Sequence, residues 1–237
     1  MKRFFLLVLL SFVSMAAYSQ DHDWAKFSRY AEANAALEQS PEAVFMGNSI
    51  TEQWAGMDGE FFTRNNFLGR GISGQTTSEM LVRFRQDVIG LNPKVVVIMA
   101  GTNDIARNNG YISLENMLSN IESMCELAKL HKIKVVLCSV TPCAYYPWRR
   151  HVECVDVIPQ FNAMLKEYAE KKGILYLDYY SALVDERGGI PQKWTTDECH
   201  LTLLAYRQVL EPMVCEAINK VLRKRNAERF IAPLPEE

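Results

Sequence analysis

One serine and one acid–histidine pair have the residue types and the spacing that nucleophilic catalysis requires. Ser49 belongs to a Gly-x-Ser segment at residues 47–49, a turn that would expose its hydroxyl, although serine in this setting commonly caps a helix instead. Asp197 stands three residues before His200, so its carboxylate can reach Nδ1 and leave Nε2 free as a base. The same spacing suits a salt bridge, a cap or half of a metal site. A hydroxyl nucleophile activated by a general base is the chemistry that these residues would perform.

Two glycine-containing segments could bring further groups to the same place. Residues 69–77 hold three glycines within six positions, which suits a tight loop whose backbone approaches a ligand. Asn103 can project an amide donor of the kind that an oxyanion needs, although asparagine is also common in turns without such a role. Asp104 beside it fits a helix or loop cap. The glycines superficially match the spacing of a dinucleotide-binding loop, but no strand is predicted directly before them and no GK[ST] motif is present, so we expect no nucleotide or other cofactor.

These residues need a scaffold, and the hydrophobic pattern predicts one by alternating strand-like and helix-like segments. Continuous β-branched runs such as 94–100 are typical of strands buried on both faces. The predicted strands are 43–46, 94–100, 133–140 and 174–178, and the predicted helices are 24–38, 77–90, 113–131, 152–172 and 201–224. Such βαβ units predict an α/β fold with a mostly parallel sheet and helices on both faces. Because such sheets carry their sites at the carboxyl ends of the strands, the motifs would meet at one edge.

Length and charge restrict the class of protein further. The 237 residues fit a single domain, and 49% hydrophobic residues are enough for a full core. The formal net charge of −2, from 26 Lys and Arg against 28 Asp and Glu, argues against a nucleic-acid-binding surface. The four histidines do not stand at ligand spacing with a cysteine pair, so we expect no metal centre.

Residues 1–19 have the pattern of a secretory signal peptide. A basic pair precedes an apolar run at residues 4–13, and a small-x-small ending closes the segment. A membrane anchor is the alternative, but this run of roughly ten residues is shorter than the roughly 20 that a bilayer requires. We therefore expect an exported protein, periplasmic or secreted, with no membrane span after cleavage and one domain over residues 20–237. Its tail, 229–237, contains two prolines and would be packed on the surface or loose.

Export would place the cysteines in an oxidising compartment, where they could pair. The six positions, which include no C-x-x-C, are 125, 138, 143, 154, 199 and 215. Cys143 and Cys154 flank a loop and could form a disulfide. The cysteines at 125, 138 and 215 lie on apolar faces of predicted elements, where a buried free thiol is the more common state.

Taken together, the four motifs resemble those of the SGNH hydrolase superfamily, also called GDSL esterases and lipases. The resemblance runs from about Val44 to the final helix, and its blocks are Gly47-Asn48-Ser49-Ile50, Gly71-Ile72-Ser73-Gly74, Gly101-Thr102-Asn103-Asp104 and Asp197-x-x-His200. It implies a three-layer α/β/α sandwich of the flavodoxin type and a catalytic triad of Ser49, His200 and Asp197. It also implies an oxyanion hole formed by the backbone N–H groups of Ser49 and Gly74 and by the Asn103 amide.

Two positions depart from the family pattern. Asn48 stands where the family name has aspartate, but that side chain is not a member of the triad. Cys199 precedes His200, where the family often has an apolar residue. Cys199 could itself be the nucleophile, but a side chain adjacent in sequence to the base would normally point away from it.

The resemblance implies an esterase that hydrolyses carboxylic esters through an acyl-enzyme. Members of similar size are often acetylhydrolases that resemble platelet-activating-factor acetylhydrolase subunits, so we expect short acyl groups such as acetyl, carried by a carbohydrate or another small molecule. A lysophospholipase or thioesterase acting on longer acyl chains is an alternative. A catalytically silent, secreted carbohydrate-binding module is an alternative from a different class.

Aromatic side chains near the predicted site could bind this substrate. Three follow the predicted strand 133–140 and one precedes the acid–histidine pair, namely Tyr145, Tyr146, Trp148 and Trp194. Such rings can stack on a sugar or line an acyl channel, whereas packing against a neighbouring helix is the alternative. Trp54, shortly after the serine, is a further candidate for the rim of the site.

Overall fold

A five-stranded parallel sheet forms the middle layer of the protein, in a computed structural model that describes residues 23–225 and 229–232. The strands are β1 (Ala43–Gly47), β2 (Phe67–Gly71), β3 (Val95–Met99), β4 (Lys134–Cys138) and β5 (Leu175–Leu177). Their order across the sheet is β2-β1-β3-β4-β5, and every neighbouring pair is parallel. The predicted signal peptide at residues 1–19 lies outside the described residues.

Helices cover both faces of this sheet. They are α1 (Ser28–Ala35), α2 (Ser49–Met57), α3 (Gly59–Arg64), α4 (Thr77–Asp87), α5 (Thr102–Ile105), α6 (Leu114–Leu130), α7 (Val157–Lys172), α8 (Tyr179–Leu183), α9 (Leu203–Ala205) and α10 (Glu211–Leu222). Apolar side chains of α4, α6 and α7 pack on one face, and those of α2, α3 and α10 pack on the other. The predicted three-layer α/β/α fold is therefore confirmed.

The central strands are apolar along their length because both of their faces are covered. All five residues of β1 and all five of β3 are buried, and β3 reads Val-Val-Val-Ile-Met. This is the pattern expected of strands in the middle of a parallel sheet. Gly47 at the end of β1 pairs with Gly71 of β2 and with Met99 of β3. The carboxyl ends of these three neighbouring strands therefore reach the same edge together.

The strand β2 was not predicted, because its sequence, Phe-Leu-Gly-Arg-Gly, carries two glycines and an arginine, which are poor indicators of a strand. The glycines are required by the close packing of α2. A Cβ atom on Gly71 would lie 2.3 Å from the backbone nitrogen of Glu52 and 2.5 Å from the carbonyl oxygen of Asn48. The segment that was interpreted as a loop from residue 69 onward thus begins as the edge strand of the sheet.

Several predicted helices are shorter than expected. The helix predicted at 24–38 covers Ser28–Ala35, and the one predicted at 152–172 begins only at Val157. The last one, predicted at 201–224, is interrupted by a π-helical turn at Tyr206–Leu210 before α10 begins. Pro212 lies in the first turn of α10 and has no N–H for the hydrogen bond that would continue a regular helix through this point.

All six cysteines are buried free thiols, including the pair for which a disulfide was considered. The Cys154 thiol donates to the carbonyl oxygen of Cys143 at 3.0 Å, and the Cys143 thiol donates to that of Tyr145 at 3.1 Å. Burial raises the pKa of Cys125 to about 12, so this thiol is protonated at neutral pH. Within residues 23–225 and 229–232, no helix combines the length and the apolar character needed to cross a bilayer.

The tail returns to the body of the protein at Phe230. Its backbone N–H and carbonyl group both hydrogen-bond to the Asn219 side chain at 2.9 Å, and its ring centroid lies 4.9 Å from that of Phe67. Residues 233–237, with both prolines of the tail, are outside the described residues.

Candidate active site

Ser49 is the first residue of α2, directly after the turn that follows β1. The cap of this helix is Asn48, whose Oδ1 accepts a hydrogen bond from the backbone N–H of Ile50 at 3.0 Å. Because the asparagine satisfies this backbone donor, the serine hydroxyl is not needed as a cap. The Ser49 Oγ instead lies 2.8 Å from Nε2 of His200.

His200 is held by the acid three residues before it. Its Nδ1 lies 2.7 Å from Oδ2 of Asp197, and Oδ1 of the same carboxylate accepts the His200 backbone N–H at 2.8 Å. Since Nδ1 carries the proton that faces the carboxylate, Nε2 is left as the acceptor that faces Ser49. The structure therefore brings the three predicted side chains into one chain of hydrogen bonds.

A tight turn positions this acid–histidine pair. Thr195 and Leu201 form an antiparallel bridge across it, and the Thr195 hydroxyl donates to the carbonyl oxygen of His200 at 2.8 Å. Glu198 adopts a φ of 73° within the turn, a left-handed conformation that non-glycine residues rarely adopt. The Glu198 carboxylate pairs with Arg187 at 3.2 Å, which helps to hold the turn in this shape.

The environment of Asp197 favours its ionised form. Partial burial acts to raise the pKa of this carboxyl group, but the hydrogen bonds from the backbone and the ring of His200 outweigh it and lower the pKa. The carboxylate is therefore a charged acceptor at neutral pH, which stabilises a proton on Nδ1 and a positive charge on the ring when that forms.

The two other predicted donors lie on the neighbouring strand ends. Gly74 is exposed in the loop after β2 and has a φ of +82°, a conformation that an L side chain would strain. Asn103 is buried in α5, directly after β3, and its Nδ2 donates to the carbonyl oxygen of Gln75 at 3.0 Å. That bond uses one of the two N–H groups of the carboxamide.

A buried arginine that belongs to none of the four sequence motifs joins the loops around the serine and the glycine. Arg83 of α4 contacts the Gln75 side chain at 2.5 Å, the carbonyl oxygen of Gly47 at 3.1 Å and the Asp87 carboxylate at 2.9 Å. An arginine and an aspartate four residues apart on the apolar face of a predicted helix were the available signal. The contacts of Arg83 with Gly47 and Gln75 fix the segment before Ser49 relative to the loop that carries Gly74.

Asp104 is the cap that the sequence suggested. Its carboxylate accepts the Thr77 backbone N–H at 3.0 Å and the Thr77 hydroxyl at 2.6 Å, which ties α5 to the first turn of α4. Burial raises the pKa of Asp104 to about 6, although the bonds from Thr77 act in the opposite direction.

Trp148 is the aromatic residue that the structure places beside the triad. Its side chain is 41% exposed, and its ring centroid lies 6.1 Å from that of His200. Its indole N–H donates to Oδ1 of Asn108 at 2.9 Å. Tyr146, predicted with it as a substrate contact, is fully buried beneath it with ring centroids 5.3 Å apart. Tyr146 therefore supports Trp148 and offers no surface to a substrate.

The other predicted aromatic contacts have different surroundings. Tyr145 is half-buried under the guanidinium of Arg150 and lines a cavity of about 340 Å³ that continues along residues 150–156. Trp194 is half-buried against the apolar core, and its carbonyl oxygen accepts the Thr202 N–H at 3.0 Å. Trp194 thereby braces the turn that carries His200.

Trp54 is not part of the rim, because it faces the core between the sheet and α10. Only 1% of it is exposed, and it stacks on Phe61 and Tyr206. Its indole N–H donates to Oε1 of Glu211 at 3.1 Å. Burial raises the pKa of Glu211 to about 7, and its second oxygen has no hydrogen-bond partner. The Tyr206 hydroxyl donates to the carbonyl oxygen of Ile50 at 2.7 Å, so this cluster supports the helix that begins with Ser49.

The parallel α/β/α sandwich presents Ser49 at the carboxyl edge of its sheet, hydrogen-bonded to His200 and through it to Asp197, an arrangement that several classes of acyl-transferring hydrolase share. The sequence model of the GDSL-like lipase/acylhydrolase family matches residues 45–208. The chain belongs to this family, and with it to the SGNH hydrolase superfamily.

Individual relatives agree with this assignment. The chain is similar to an acylhydrolase of Bacteroides fragilis NCTC 9343, with 44% identity, a TM-score of 0.83, and coverage of 86% of this chain and 100% of that one. A GDSL-like lipase of Bacteroides thetaiotaomicron VPI-5482 is 43% identical with a TM-score of 0.81, and the match covers 84% of this chain and 100% of that one. The platelet-activating factor acetylhydrolase IB subunit beta homolog of Drosophila melanogaster is 25% identical over 83% of this chain and 85% of its own. The predicted superfamily and the enzyme class, a carboxylic ester hydrolase, are confirmed.

Proposed function

We propose that this protein is an exported serine esterase that hydrolyses short-chain carboxylic esters through an acyl-enzyme. The observation that carries the proposal is the 2.8 Å contact between Ser49 Oγ and His200 Nε2, with Asp197 bound to the other ring nitrogen. This is the geometry that a nucleophile, its base and the group that orients the base must have.

The reaction proceeds by two acyl transfers. Oγ of Ser49 attacks the ester carbonyl carbon while Nε2 of His200 takes the hydroxyl proton. As the tetrahedral intermediate collapses, the bond to the leaving alkoxide breaks and His200 returns the proton to it, which gives the free alcohol and an acyl-serine. Water then reacts in the same way: His200 takes a proton from it while the water oxygen bonds to the acyl carbon. The bond from that carbon to Ser49 Oγ then breaks, and His200 returns the proton to Oγ.

The developing oxyanion needs donors that are already in place. In the proposed site these are the backbone N–H groups of Ser49 and Gly74 and the second carboxamide N–H of Asn103. The supporting observation is that they stand at the carboxyl ends of β1, β2 and β3, three adjacent strands. Donors fixed by the fold need little reorganisation in the transition state, and each is worth about 10²–10³ in kcat.

An acetyl group on a carbohydrate or on another small alcohol is the proposed substrate. The partly exposed ring of Trp148 beside His200 offers a flat surface on which a sugar or a compact leaving group can stack. The fruit-fly relative is named as an acetylhydrolase, which agrees with a short acyl group. No nucleic acid takes part in this proposal, and the partner is a small-molecule ester.

The substrate proposal is tested by a panel of esters that separates the acyl group from the alcohol. Acetylated sugars, p-nitrophenyl esters of increasing acyl length and acyl-CoA thioesters are compared by kcat/KM, with Ser49→Ala as the blank. We expect the highest value for acetyl esters. A kcat/KM that rises with acyl length would overturn the acetyl proposal in favour of a lysophospholipase or thioesterase, and no turnover of any ester would favour a silent binding module.

Export is proposed from residues 1–19, whose basic start, apolar run and small-residue ending have the pattern of a cleaved signal. The full-length chain expressed in a bacterium should be recovered from the periplasm or the medium with its amino terminus near residue 20. Recovery from the cytosol with residue 1 intact would contradict this proposal.

A further inference from the structure

We propose that Asn108 is a positioning residue that sets which end of the Asn103 carboxamide faces the substrate. This inference rests on the proposed function, since it concerns the proposed oxyanion donor. Asn108 stands in the loop after α5 and connects Asn103, the Gly74 loop and Trp148. None of the four sequence motifs contains it.

The orientation of Asn108 follows from its contact with Trp148. An indole N–H can only donate a hydrogen bond, so the atom of Asn108 that lies 2.9 Å from it must be the carboxamide oxygen. The amide nitrogen of Asn108 is then turned to the opposite side. There it donates to Oδ1 of Asn103 at 2.9 Å.

The same reasoning continues to Asn103. Because its oxygen accepts from Asn108, its nitrogen faces the other way and donates to the carbonyl oxygen of Gln75 at 3.0 Å. A flipped Asn103 would place its oxygen against the oxygen of Gln75 and its nitrogen against that of Asn108, with both hydrogen bonds lost. The donor-only indole thus orients two carboxamides in sequence and leaves an N–H of Asn103 for an oxyanion.

The backbone holds the two asparagines together as well. The N–H of Asn108 donates to the carbonyl oxygen of Asn103 at 2.9 Å, and Arg107 between them adopts a left-handed φ of 57° to close this turn. Asn103 is only 2% exposed, so water cannot easily replace a missing partner on its oxygen. Asn108 is half-buried and links the partly exposed ring of Trp148 to the buried carboxamide of Asn103 by hydrogen bonds.

Two substitutions at one position separate orientation from packing. Asn108→Asp keeps the shape and the acceptor for Trp148 but presents an oxygen to Oδ1 of Asn103, which favours the flipped Asn103 amide. Asn108→Ala removes the partner without repulsion. We expect kcat for p-nitrophenyl acetate to fall about 10²-fold in the aspartate variant and about 10-fold in the alanine variant, with KM within about twofold of wild type. A purely structural role would make the isosteric aspartate the milder change.

Asn109 provides a matched control because it is exposed and adjacent to Asn108. Asn109→Asp and Asn109→Ala introduce the same charge and the same truncation one residue away, and we expect both to retain wild-type kcat. Thermal unfolding of all four variants checks that they are folded. The inference is wrong if Asn108→Asp is no slower than Asn108→Ala, or if both match the Asn109 pair.

A second readout does not depend on turnover. The carboxamide ¹⁵N–¹H resonances of Asn103, assigned by their loss in Asn103→Asp, should shift in Asn108→Asp and stay in place in Asn109→Asp. If the Asn103 resonances were unchanged in both aspartate variants, the inference would also be overturned. A wild-type protein without any esterase activity would instead refute the proposed function, while these resonances still report whether Asn108 orients Asn103.

Discussion

Asp197 holds His200 at two points: one carboxylate oxygen accepts its backbone N–H at 2.8 Å and the other lies 2.7 Å from its ring Nδ1. The spacing of three residues makes this double contact possible, since the acid caps the same tight turn that presents the ring. A single side chain therefore sets the backbone position of the base, its ring orientation and its tautomer. The proposed catalytic roles of both residues depend on this arrangement.

The first prediction concerns Asp197→Asn. The amide oxygen can still accept the backbone N–H groups of the turn, but the amide nitrogen then faces Nδ1 and favours a proton on Nε2, the wrong tautomer for accepting the Ser49 proton. We expect kcat to fall about 10³–10⁴-fold with the melting temperature nearly unchanged. Steady-state kinetics and thermal unfolding of the same preparation check both parts. A variant that keeps more than about a tenth of wild-type kcat would show that Asp197 does not orient the base.

The second prediction concerns the buried carboxyl group of Glu211. Burial raises its pKa to about 7 from a usual value near 4.5, so the folded state binds this proton more tightly than the unfolded state. The stabilisation is complete below about pH 4.5 and is lost as the pH rises to 7. Glu211→Gln removes this titration. We therefore expect the unfolding free energy of the variant minus that of wild type to increase by about 1–3 kcal/mol from pH 5 to pH 8.

Urea unfolding of both proteins at the two pH values measures that difference, and contributions from all other titrating groups cancel in the comparison. The neutral glutamine can still accept the Trp54 indole N–H, so the packing of the cluster is retained. A difference between variant and wild type that is the same at pH 5 and pH 8 would contradict a raised pKa at Glu211.

The third prediction uses two glycines that differ in their surroundings. A Cβ on Gly71 would lie within 2.5 Å of backbone atoms of Asn48 and Glu52, which belong to the start of the Ser49 helix, whereas a Cβ on Gly56 meets nothing within 4 Å. We expect Gly71→Ala to destabilise the protein by about 1–3 kcal/mol and to lower activity. Gly56→Ala, in the exposed part of α2, should stabilise it by about 0.5–1 kcal/mol.

Denaturant unfolding of both variants tests this prediction, and the activity of Gly56→Ala serves as the control. If Gly71→Ala were as stable and as active as wild type, β2 would not pack against α2 as closely as described.

The sequence predicted the parts of the molecule that are encoded locally. The strand 94–100 was evident because β-branched residues fill it without interruption, and the triad candidates were evident because each follows or precedes a predicted element. The sequence does not indicate the strand β2, because the close approach of α2 requires glycines in it. That requirement comes from tertiary packing and not from the local sequence. Trp54 was misplaced for a related reason: position next to a nucleophile in sequence does not tell which side of a helix faces the core.

Residues that act through other residues were the least predictable. Arg83 lies 36 positions from Gly47 in the chain, and only the packing of α4 on the sheet brings its guanidinium to that carbonyl group. Asn108 and Trp148 are 40 positions apart, in loops after different strands. The donor-only indole sets the direction of the hydrogen bonds once the two loops meet, but no spacing rule in a sequence shows that they meet.

The central claim is that Ser49 is an activated nucleophile, and covalent labelling with a fluorophosphonate tests it most directly, since the reagent requires a hydroxyl deprotonated by a neighbouring base. Intact-mass and peptide mass spectrometry would be applied to the wild type, to Ser49→Ala, and to Ser123→Ala on α6 as a control. We predict one adduct per chain on Ser49 in the wild type and in Ser123→Ala, and none in Ser49→Ala. An unlabelled wild type, or an adduct that persists in Ser49→Ala, would contradict the proposed mechanism.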